Sequence, residues 1–541
     1  MQSGELVETL TVEKVKFGKM AIETISSIDI KKLNLTKSFL MSCLPKGFKF
    51  YRKPYYHQLV SIIFGLQFDG TGFLHPMGVG KSLCAIELAR AFGIKKNILV
   101  VTVNSALRNW KEEFDLSSNN KYKVVTLEGS LKERSRVLKE NKYDVYIINY
   151  EGLFVASKQG DKKKRTVRSL TKKISKYLLP GIVRPWDALI VDESRLIKNA
   201  TSMRTRACMY LSTYSGLRMI LTGTPIIKSL GEILSQHYIL DYGETFGDDT
   251  GKFISKYYDR EEKVIWGRGT FWDLKIKPGS ERKVNKLLYQ KCIRHKKSEC
   301  FDLPKTTYIK RYVNLYGDQF SFYQRLKQNK ALDVRITRNN IFTIKNQLIK
   351  FMQITGGYLQ TGKGNPVIAF KNNAKLEEME DILGEVHGEK VVIVASFVPE
   401  QKGIIDFLKN KKIKYVKIIG GTKPKDAKLA EDTFNYNKNI NRIVISPRVG
   451  GRSINLTVAN YIIFYSQDYD TELNWQTEER VNRIPAEKML KMYPYLKHRK
   501  NVTRIDIIAR DTVDEKVIEK LNQDELLFKK SIEGLKLSSL L

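Results

Sequence analysis

Short runs of aliphatic and β-branched residues recur along this chain, each followed by a polar or glycine turn and then a helical pattern. That alternation marks parallel α/β sheets, because a helix must carry the chain back before the next strand can run the same way. The runs fall in two blocks. The first holds Ile98-Leu99-Val100-Val101, Val145-Tyr146-Ile147-Ile148, Ala188-Leu189-Ile190-Val191 and Met219-Ile220-Leu221. The second holds Val391-Val392-Ile393-Val394, Ile443-Val444-Ile445, Tyr461-Ile462-Ile463-Phe464 and Ile505-Asp506-Ile507-Ile508. Between them, from about Ile226 to Lys375, Leu, Phe and Tyr spaced among Lys and Arg predict a mostly helical insertion and connector. The expected division is an N-terminal accessory element with weak strand alternation over 1–48, a first lobe over 49–240, the connector over 241–375, a second lobe over 376–520 and a helical tail over 521–541.

A chain of 541 residues exceeds what one core usually supports, in keeping with two lobes. Lys and Arg number 94 against 58 Asp and Glu, a formal charge of +36. Such an excess selects a polyanionic partner, and nucleic acid is favoured over a membrane because no apolar run reaches the length of a span. Met1-Gln2-Ser3-Gly4-Glu5 lacks the basic start of a signal peptide. The expected location is therefore intracellular: cytoplasm, nucleoid or a viral replication site. Cys43, Cys84, Cys208, Cys292 and Cys300 are scattered, with no C-x-x-C pair and no His at ligand spacing. Reduced thiols are expected, and zinc or a disulfide framework is not. Basic runs at Lys162-Lys163-Lys164-Arg165 with Lys172-Lys173, at Lys409-Asn410-Lys411-Lys412 and at Lys497-His498-Arg499-Lys500 each read, singly, as solvated loops.

Gly72-Phe73-Leu74, then Met77-Gly78-Val79-Gly80-Lys81-Ser82, then the helical run Leu83 to Ala91 give the strand, loop and helix that a phosphate loop needs. Glycines let backbone N–H groups approach phosphates at a helix N-terminus. Lys81 would reach the β- and γ-phosphates and Ser82 would hold Mg²⁺. His75 stands where the full eight-residue pattern has its first glycine, so the segment alone is also compatible with a glycine turn before a buried helix. Farther on, a buried strand ends in Asp192-Glu193, two carboxylates at the sheet edge where open α/β folds bind ligands. Asp192 suits the Mg²⁺ shell and Glu193 suits polarising an attacking water. Thr222-Gly223-Thr224 closes another strand, where small hydroxyl residues would sense the γ-phosphate. Gln58, ahead of a helical stretch from Leu59 to Leu66, carries an amide able to pair with an adenine edge.

Near the end of the chain, Gln476, Arg480 and Arg483 stand at i, i+4 and i+7 of a predicted helix and so share one face. Two guanidiniums on one face suit the charge of a transferring phosphoryl group, and the same spacing also suits a salt-bridged surface helix using Glu478 and Glu479.

Taken together these segments resemble helicase superfamily 2 and, within it, the Swi/Snf-like ATPases, of a compact phage, virus or plasmid type. Asp192-Glu193-Ser194-Arg195-Leu196-Ile197-Lys198-Asn199 is similar to the family's acidic motif, Leu221 to Pro225 to its third, Gly450-Gly451-Arg452-Ser453-Ile454-Asn455-Leu456-Thr457 to its fifth and Gln476 to Ile484 to its sixth. Asn109-Trp110, Asn149-Tyr150-Glu151, Arg294-His295-Lys296-Lys297, Ser396-Phe397 and Gly420-Gly421-Thr422 match in order, from about Pro54 to Lys520. The resemblance implies two tandem RecA-like lobes with parallel sheets, the first binding ATP, and DNA-dependent ATP hydrolysis with Mg²⁺. It implies that Gln58, Lys81, Ser82, Asp192 and Glu193 act on ATP and Mg²⁺ from lobe one, with Gln476, Arg480 and Arg483 entering from lobe two and Arg483 as arginine finger. Ser105, Asn149, Tyr150, Ser396, Thr422, Ser446 and Asn455 then fall in motifs that line the nucleic-acid track, gripping phosphates without reading sequence.

Arg195 replaces the usual His of the acidic motif, His75-Pro76 replaces acidic residues before the phosphate loop, Val103 stands where Pro is common, and Pro485-Ala486 replaces Gly-Gln after the sixth motif. These departures bear on coupling more than on nucleotide binding. No bromodomain-like, chromodomain-like or finger segment is recognisable, which turns the expectation away from a chromatin remodeller. The expected activity is a translocase on duplex or branched DNA serving replication, recombination or repair, for instance branch migration or fork remodelling. Alternatives are a transcription-associated ATPase with a polymerase partner, a strand-separating RNA or DNA helicase, and a DNA-binding scaffold without turnover.

Overall fold

The computed structural model describes residues 36–155, 174–227, 229–265, 269–301, 303–333, 340–360, 367–450, 454–483, 485 and 487–528. The chain forms two compact units, residues 1–302 with 526–541, and residues 303–525. The connector range 241–375 contributes to both.

In the first unit the strands are β1 (Gly70–Phe73), β2 (Ile98–Thr102), β3 (Val124–Thr126), β4 (Val145–Asn149), β5 (Trp186–Asp192), β6 (Ser215–Leu221), the hairpin pair β7 (Tyr258–Ile265) and β8 (Gly269–Ile276), and β9 (Cys292–Ile293). Seven of them make one parallel sheet in the order β3-β4-β2-β5-β6-β1-β9. Side chains alternate across it: Leu99, Val101, Tyr146, Ile148, Leu189 and Val191 enter one core, while Ile98, Val100, Val145, Ile147, Ala188 and Ile190 enter the other. Both faces are thus buried, which is why these runs are continuously apolar. Helices cover the faces, among them Tyr56–Gly65, Lys81–Ala91, Leu107–Ser118, Met203–Ser212 and Glu232–Asp241.

The second unit repeats the plan with β10 (Lys305–Val313), β11 (Tyr358–Gln360), β12 (Val367–Ala369), β13 (Val391–Val394), β14 (Tyr415–Ile418), β15 (Arg442–Ile445), β16 (Tyr461–Phe464) and β17 (Asn501–Ala509). Six form a parallel sheet ordered β10-β17-β16-β13-β15-β14. Again one set, with Val391, Ile393, Val444 and Ile463, packs on one side, and Val392, Val394, Ile443 and Phe464 on the other.

Two parallel sheets with helices on both faces are the expected α/β class. The connector carries helices Ser280–Leu288, Gly317–Asp333 and Asn340–Thr355, and in addition supplies the β7–β8 hairpin, edge strand β9 of the first sheet and edge strand β10 of the second. Of the N-terminal element, residues 36–48 hold a short helix, Lys37–Ser42, whose Leu40 joins the first unit's core with Leu44; the rest lies outside the described residues, as do 162–165 and 172–173.

Candidate nucleotide site

Met77 to Ser82 link β1 to the helix Lys81–Ala91. Gly78 and Gly80 take φ of 81° and 92°, the left-handed region that costs other residues about 1–2 kcal/mol. A Cβ on Gly80 would lie 2.0 Å from Nε2 of Gln58, so any side chain there would push that amide aside. That amide donates to Val79 O at 3.1 Å, and its Oε1 accepts from Tyr55 N at 2.9 Å, closing the helix start. Gln58 therefore sits at the site, but with both amide ends engaged by backbone rather than presented to a base. His57 Nε2 donates to the same Val79 carbonyl at 3.1 Å. Lys81 Nζ lies back along its own loop, on His75 O at 3.0 Å and Pro76 O at 3.3 Å. The loop, its lysine and the helix's first-turn N–H groups make a cradle that fits the phosphates of ATP.

The His75 departure has a physical account. His75 is buried; its Nδ1 accepts from His295 N at 3.1 Å, so Nε2 carries the proton and donates to Ser61 Oγ at 3.0 Å, which in turn donates to His57 O at 2.7 Å. The His75 and His295 rings stack 5.0 Å apart. Burial, then the neighbouring His295, His57, Lys81 and Arg294, hold the His75 imidazole well below the usual histidine range. It is a neutral strut beneath the phosphate loop.

Three adjacent parallel strands end beside this loop. β6 lies between β1 and β5, so the loop, Thr222-Gly223-Thr224 and Asp192-Glu193 occupy neighbouring strand ends. Asp192 Oδ2 accepts from Thr102 Oγ1 and Trp110 Nε1, both at 2.8 Å, and Oδ1 accepts from Glu193 N at 2.9 Å. Oδ2 thus has both lone-pair sites taken, and Oδ1 keeps one that a cation shell could use, with Ser82 the candidate second ligand. Glu193 adopts a left-handed φ of 49°, uncommon away from glycine and asparagine, which turns its side chain out of the strand's alternation. Thr222 Oγ1 accepts from Thr224 N at 3.2 Å, and Arg294 Nη1 ties Gly223 O (2.9 Å) to Leu74 O (2.6 Å).

Two residues here carried no sequence signal. Gln236, buried on the helix Glu232–Asp241, accepts from Ser194 Oγ at 2.9 Å and donates to Pro225 O at 2.8 Å, joining the acidic turn to the third motif. Glu232 accepts from Lys198 Nζ at 2.9 Å and Ile227 N at 2.8 Å and stands 3.8 Å from Arg195 Nε. The departure at Arg195 is thus a buried guanidinium facing a carboxylate of that same helix.

The residues expected on a nucleic-acid track divide. Ser105 is exposed just past β2, and Asn149 ends β4, its neighbour in the sheet. A cavity of about 390 Å³ beside them is lined by Asn104, Glu128, Gly129, Arg134 and Asn149. Tyr150 is a correction: at 1% exposure its ring belongs to the core, and its hydroxyl donates to Asp192 O at 2.5 Å, so it braces the acidic turn and has no surface to offer a nucleic acid. In the second unit Ser396, Thr422 and Ser446 follow β13, β14 and β15, three adjacent strand ends. Ser396 N donates to Ser466 Oγ at 2.9 Å and Thr422 Oγ1 accepts from Ile419 N at 3.1 Å, while Ser446 is buried. Asn455 Oδ1 accepts from Thr457 N at 3.2 Å. Gly451, Arg452 and Ser453 lie outside the described residues, as do Ile484 and Ala486.

The shared helical face of Gln476, Arg480 and Arg483 is also corrected. The helix runs only Thr471–Glu478, and Glu479 caps it, so both arginines stand beyond its end. Gln476 is buried, with Nε2 donating to Glu472 Oε1 at 3.2 Å. Arg480 is 2% exposed, and its carbonyl accepts from Leu456 N at 3.0 Å. Arg483 Nε donates to Glu479 O at 3.0 Å; burial lowers its guanidinium pKa, against the pull of Glu479 and Glu431. The segment is held from outside. Arg499 Nη1 donates to Thr457 O and Ala459 O, both at 2.8 Å, and Nη2 to Val481 O at 3.3 Å, binding the fifth-motif strand approach to the arginine segment. Arg499 belongs to a basic run read as a solvated loop; instead it is the clamp, half-buried, its pKa pushed down by burial to about 10. Lys409 and Lys411 of another run do stay exposed, with ion pairs to Asp406 and Glu380.

Two parallel sheets, with a phosphate loop and an acid pair on either side of the β6 strand end, define the class: a phosphate-loop nucleoside-triphosphatase fold of helicase type. The SNF2-related domain matches residues 51–360, more than half of the chain, and the helicase conserved C-terminal domain matches residues 374–485. The chain belongs to the SNF2-related family of helicase superfamily 2. It is 24% identical over 477 residues to the uncharacterized ATP-dependent helicase MG018 of Mycoplasma genitalium, covering 86% of this chain and 40% of that protein. It is 25% identical over 477 residues to the chromodomain-helicase-DNA-binding protein 1-like of Mus musculus, covering 85% and 47%. The chain thus spans less than half the length of these relatives. A solved structure, the Sulfolobus solfataricus SWI2/SNF2 ATPase core in complex with dsDNA, aligns at 21% identity over 91% of this chain and 95% of that one, with a TM-score of 0.40. Among the described residues no helix is long and apolar enough to cross a membrane, and no group of three or more His, Cys, Asp or Glu is placed to hold a metal ion.

Proposed function

We propose that this chain is an ATP-dependent motor that tracks along duplex or branched DNA in replication, recombination or repair, as in branch migration or fork remodelling. One observation carries the reading: the phosphate loop, Thr222–Thr224 and the Asp192-Glu193 pair stand on three adjacent parallel strand ends. Magnesium-bound ATP supplies the phosphoryl group and part of the charge neutralisation. The chain's own residues do the rest. Lys81 moves from the loop carbonyls to the β- and γ-phosphates, Ser82 and Asp192 hold the cation, and Glu193 orients water and takes its proton. Arg480 and Arg483 are the proposed source of guanidinium charge for the transition state. Ser105, Asn149, Ser396, Thr422 and Asn455 are the proposed phosphate contacts. The charge of +36 supports a nucleic-acid track gripped by its backbone.

The test is steady-state ATP hydrolysis with single-stranded, duplex, forked and four-way-junction DNA, and with RNA, at matched salt. Duplex or branched DNA is expected to stimulate most; stimulation by RNA alone would point to an RNA helicase. Lys81→Ala and Glu193→Gln are each expected to lower stimulated turnover by about 10²–10³-fold, and unchanged rates would sink the site assignment. Arg483→Ala is expected to keep ATP affinity and lose turnover.

A further inference from the structure

A groove lined by basic and aromatic residues lies near the start of the described residues. Between Thr36 and Tyr55 the chain carries Lys37, Lys46, Lys49, Arg52 and Lys53 and no acidic residue. Three of these, Lys37, Lys49 and Lys53, line an open groove of about 760 Å³ together with Phe48, Phe50 and Tyr51, while Arg52 is paired with Glu113. Met41, also on its wall, is 38% exposed and Tyr51 42%. Two further cations stand behind the rings, Lys121 and an Arg90 that is ion-paired with Glu87. The Arg90 guanidinium lies 4.5 Å from the Tyr51 ring centre and 5.2 Å from that of Phe48, and Lys121 Nζ lies 5.0 Å from Tyr51. Lys121, hydrogen-bonded to the phenol, and after it Arg90 hold the Tyr51 hydroxyl below the usual range.

The position of its rings separates them from the motor's machinery. Arg90 is in the last turn of the helix that begins at Lys81, about 14 Å along the axis from the phosphate loop. A parallel α/β unit puts its strand-end motifs at the other end of that helix, so the Phe48–Tyr51 part of the groove lies away from them, while Pro54 on its far wall adjoins Tyr55, whose N–H meets Gln58.

Rings flanked by ammonium groups at close spacing match a chain of flat bases joined by phosphates, as unpaired nucleic acid presents. Duplex DNA offers the phosphates but keeps its base faces stacked. Residues 1–35, the other available occupant, contain five acidic and five basic residues (Glu5, Glu8, Glu13, Glu23, Asp29 against Lys14, Lys16, Lys19, Lys31, Lys32) and bring no net charge to complement the groove. We propose that the groove lined by Lys37, Lys49, Lys53, Phe50 and Tyr51 binds single-stranded DNA. The motor then holds an unpaired strand at a site distinct from its track, which suits forked or bubbled substrates.

The experiment uses the full chain without ATP and a 5-iodouracil-substituted deoxyoligonucleotide, photocrosslinked and mapped by mass spectrometry. Adducts at Phe50 or Tyr51 are expected; adducts confined to residues outside 37–54 overturn the proposal. In parallel, the double variant Lys49→Gln, Lys53→Gln is expected to bind single-stranded DNA about tenfold more weakly, with a log affinity against log salt slope shallower by about 1.4, at unchanged duplex-stimulated turnover. An equal loss of duplex affinity, or equal binding of an RNA of the same sequence by the unaltered chain, also overturns it. Absence of duplex stimulation in the unaltered chain would count against the motor and leave this groove standing.

Discussion

The phosphate-loop segment of the first unit and the arginine segment of the second are held by opposite means. The first is fixed from within: glycine torsions set its path, and buried side chains, Gln58, His57 and His75, brace it from directly below. The second has lost its helix after Glu478 and is fixed from without, by Arg499 on the Val481 carbonyl and by Glu478. That glutamate takes Arg504 Nη1 and the Tyr308 hydroxyl, both at 2.7 Å, while Asn482 Nδ2 donates to Pro304 O at 3.0 Å. A cradle built on torsions tolerates almost no substitution in its own residues. A segment hung on side-chain clamps tolerates local change but fails when a distant residue is altered.

Gly80→Ala tests the first half of that contrast and carries the largest expected effect. The left-handed φ alone costs about 1–2 kcal/mol, and the new Cβ displaces Gln58; ATP affinity, followed by titration with a fluorescent analogue, is expected to fall more than a hundredfold. Arg499→Ala tests the second half. It strips donors from three carbonyls, and the expected reading is a kcat about tenfold lower, near 1.4 kcal/mol, at an unchanged KM for ATP; Arg499→Lys, with charge but no fork, should recover only part. A KM that rises in step with the loss would place Arg499 in nucleotide binding instead. Gln236→Leu keeps shape and removes the bridge from Ser194 to Pro225, so basal hydrolysis should stay near normal while stimulation by DNA falls about threefold, roughly 0.7 kcal/mol; equal loss of both rates would mean that the bridge merely supports the fold.

The smallest effect is expected from pH. The His75 imidazole is held well below its unfolded value of about 6.5 by burial and neighbouring cations. Above pH ~6.5 it is neutral folded and unfolded alike. As pH drops below that value the unfolded chain takes up the proton first, so stability declines with acid. Urea midpoints measured from pH 7.5 to 5.5 should fall, and fall less in His75→Gln; identical slopes would remove His75 as a cause.

Much of the fold was legible because the buried strands of a two-sided parallel sheet are unbroken apolar runs: Val391–Val394 and Tyr461–Phe464 stand as strands from their composition alone. The strands that escaped are short or at edges. β9 has two residues and β3 three, too few for any period, and β10 alternates Lys, Thr and Tyr with most of its side chains exposed. The motif residues on strand ends were legible for the same reason the strands were. What periodicity cannot show is where a helix stops without Gly or Pro. Glu478-Glu479-Arg480-Val481 continues a helical pattern, yet the turn is set by Arg480's carbonyl meeting Leu456. Gln236 and Arg499 were invisible because each acts on backbone carbonyls far along the chain, and such bonds leave no spacing rule.

One edge of the second sheet also has a bearing on how the chain is made. β10 is the first strand of its unit to leave the ribosome, and among the described residues its only sheet partner is β17, in register from Lys305 opposite Asn501 to Val313 opposite Ala509. Throughout synthesis of everything between, nine residues of backbone wait with neither side paired, a site where a second nascent copy or a holding chaperone can lie down. The first sheet, by contrast, has all of its strands by Ile293. The second sheet, unlike the first, can therefore be closed only after the chain has been made through Ala509.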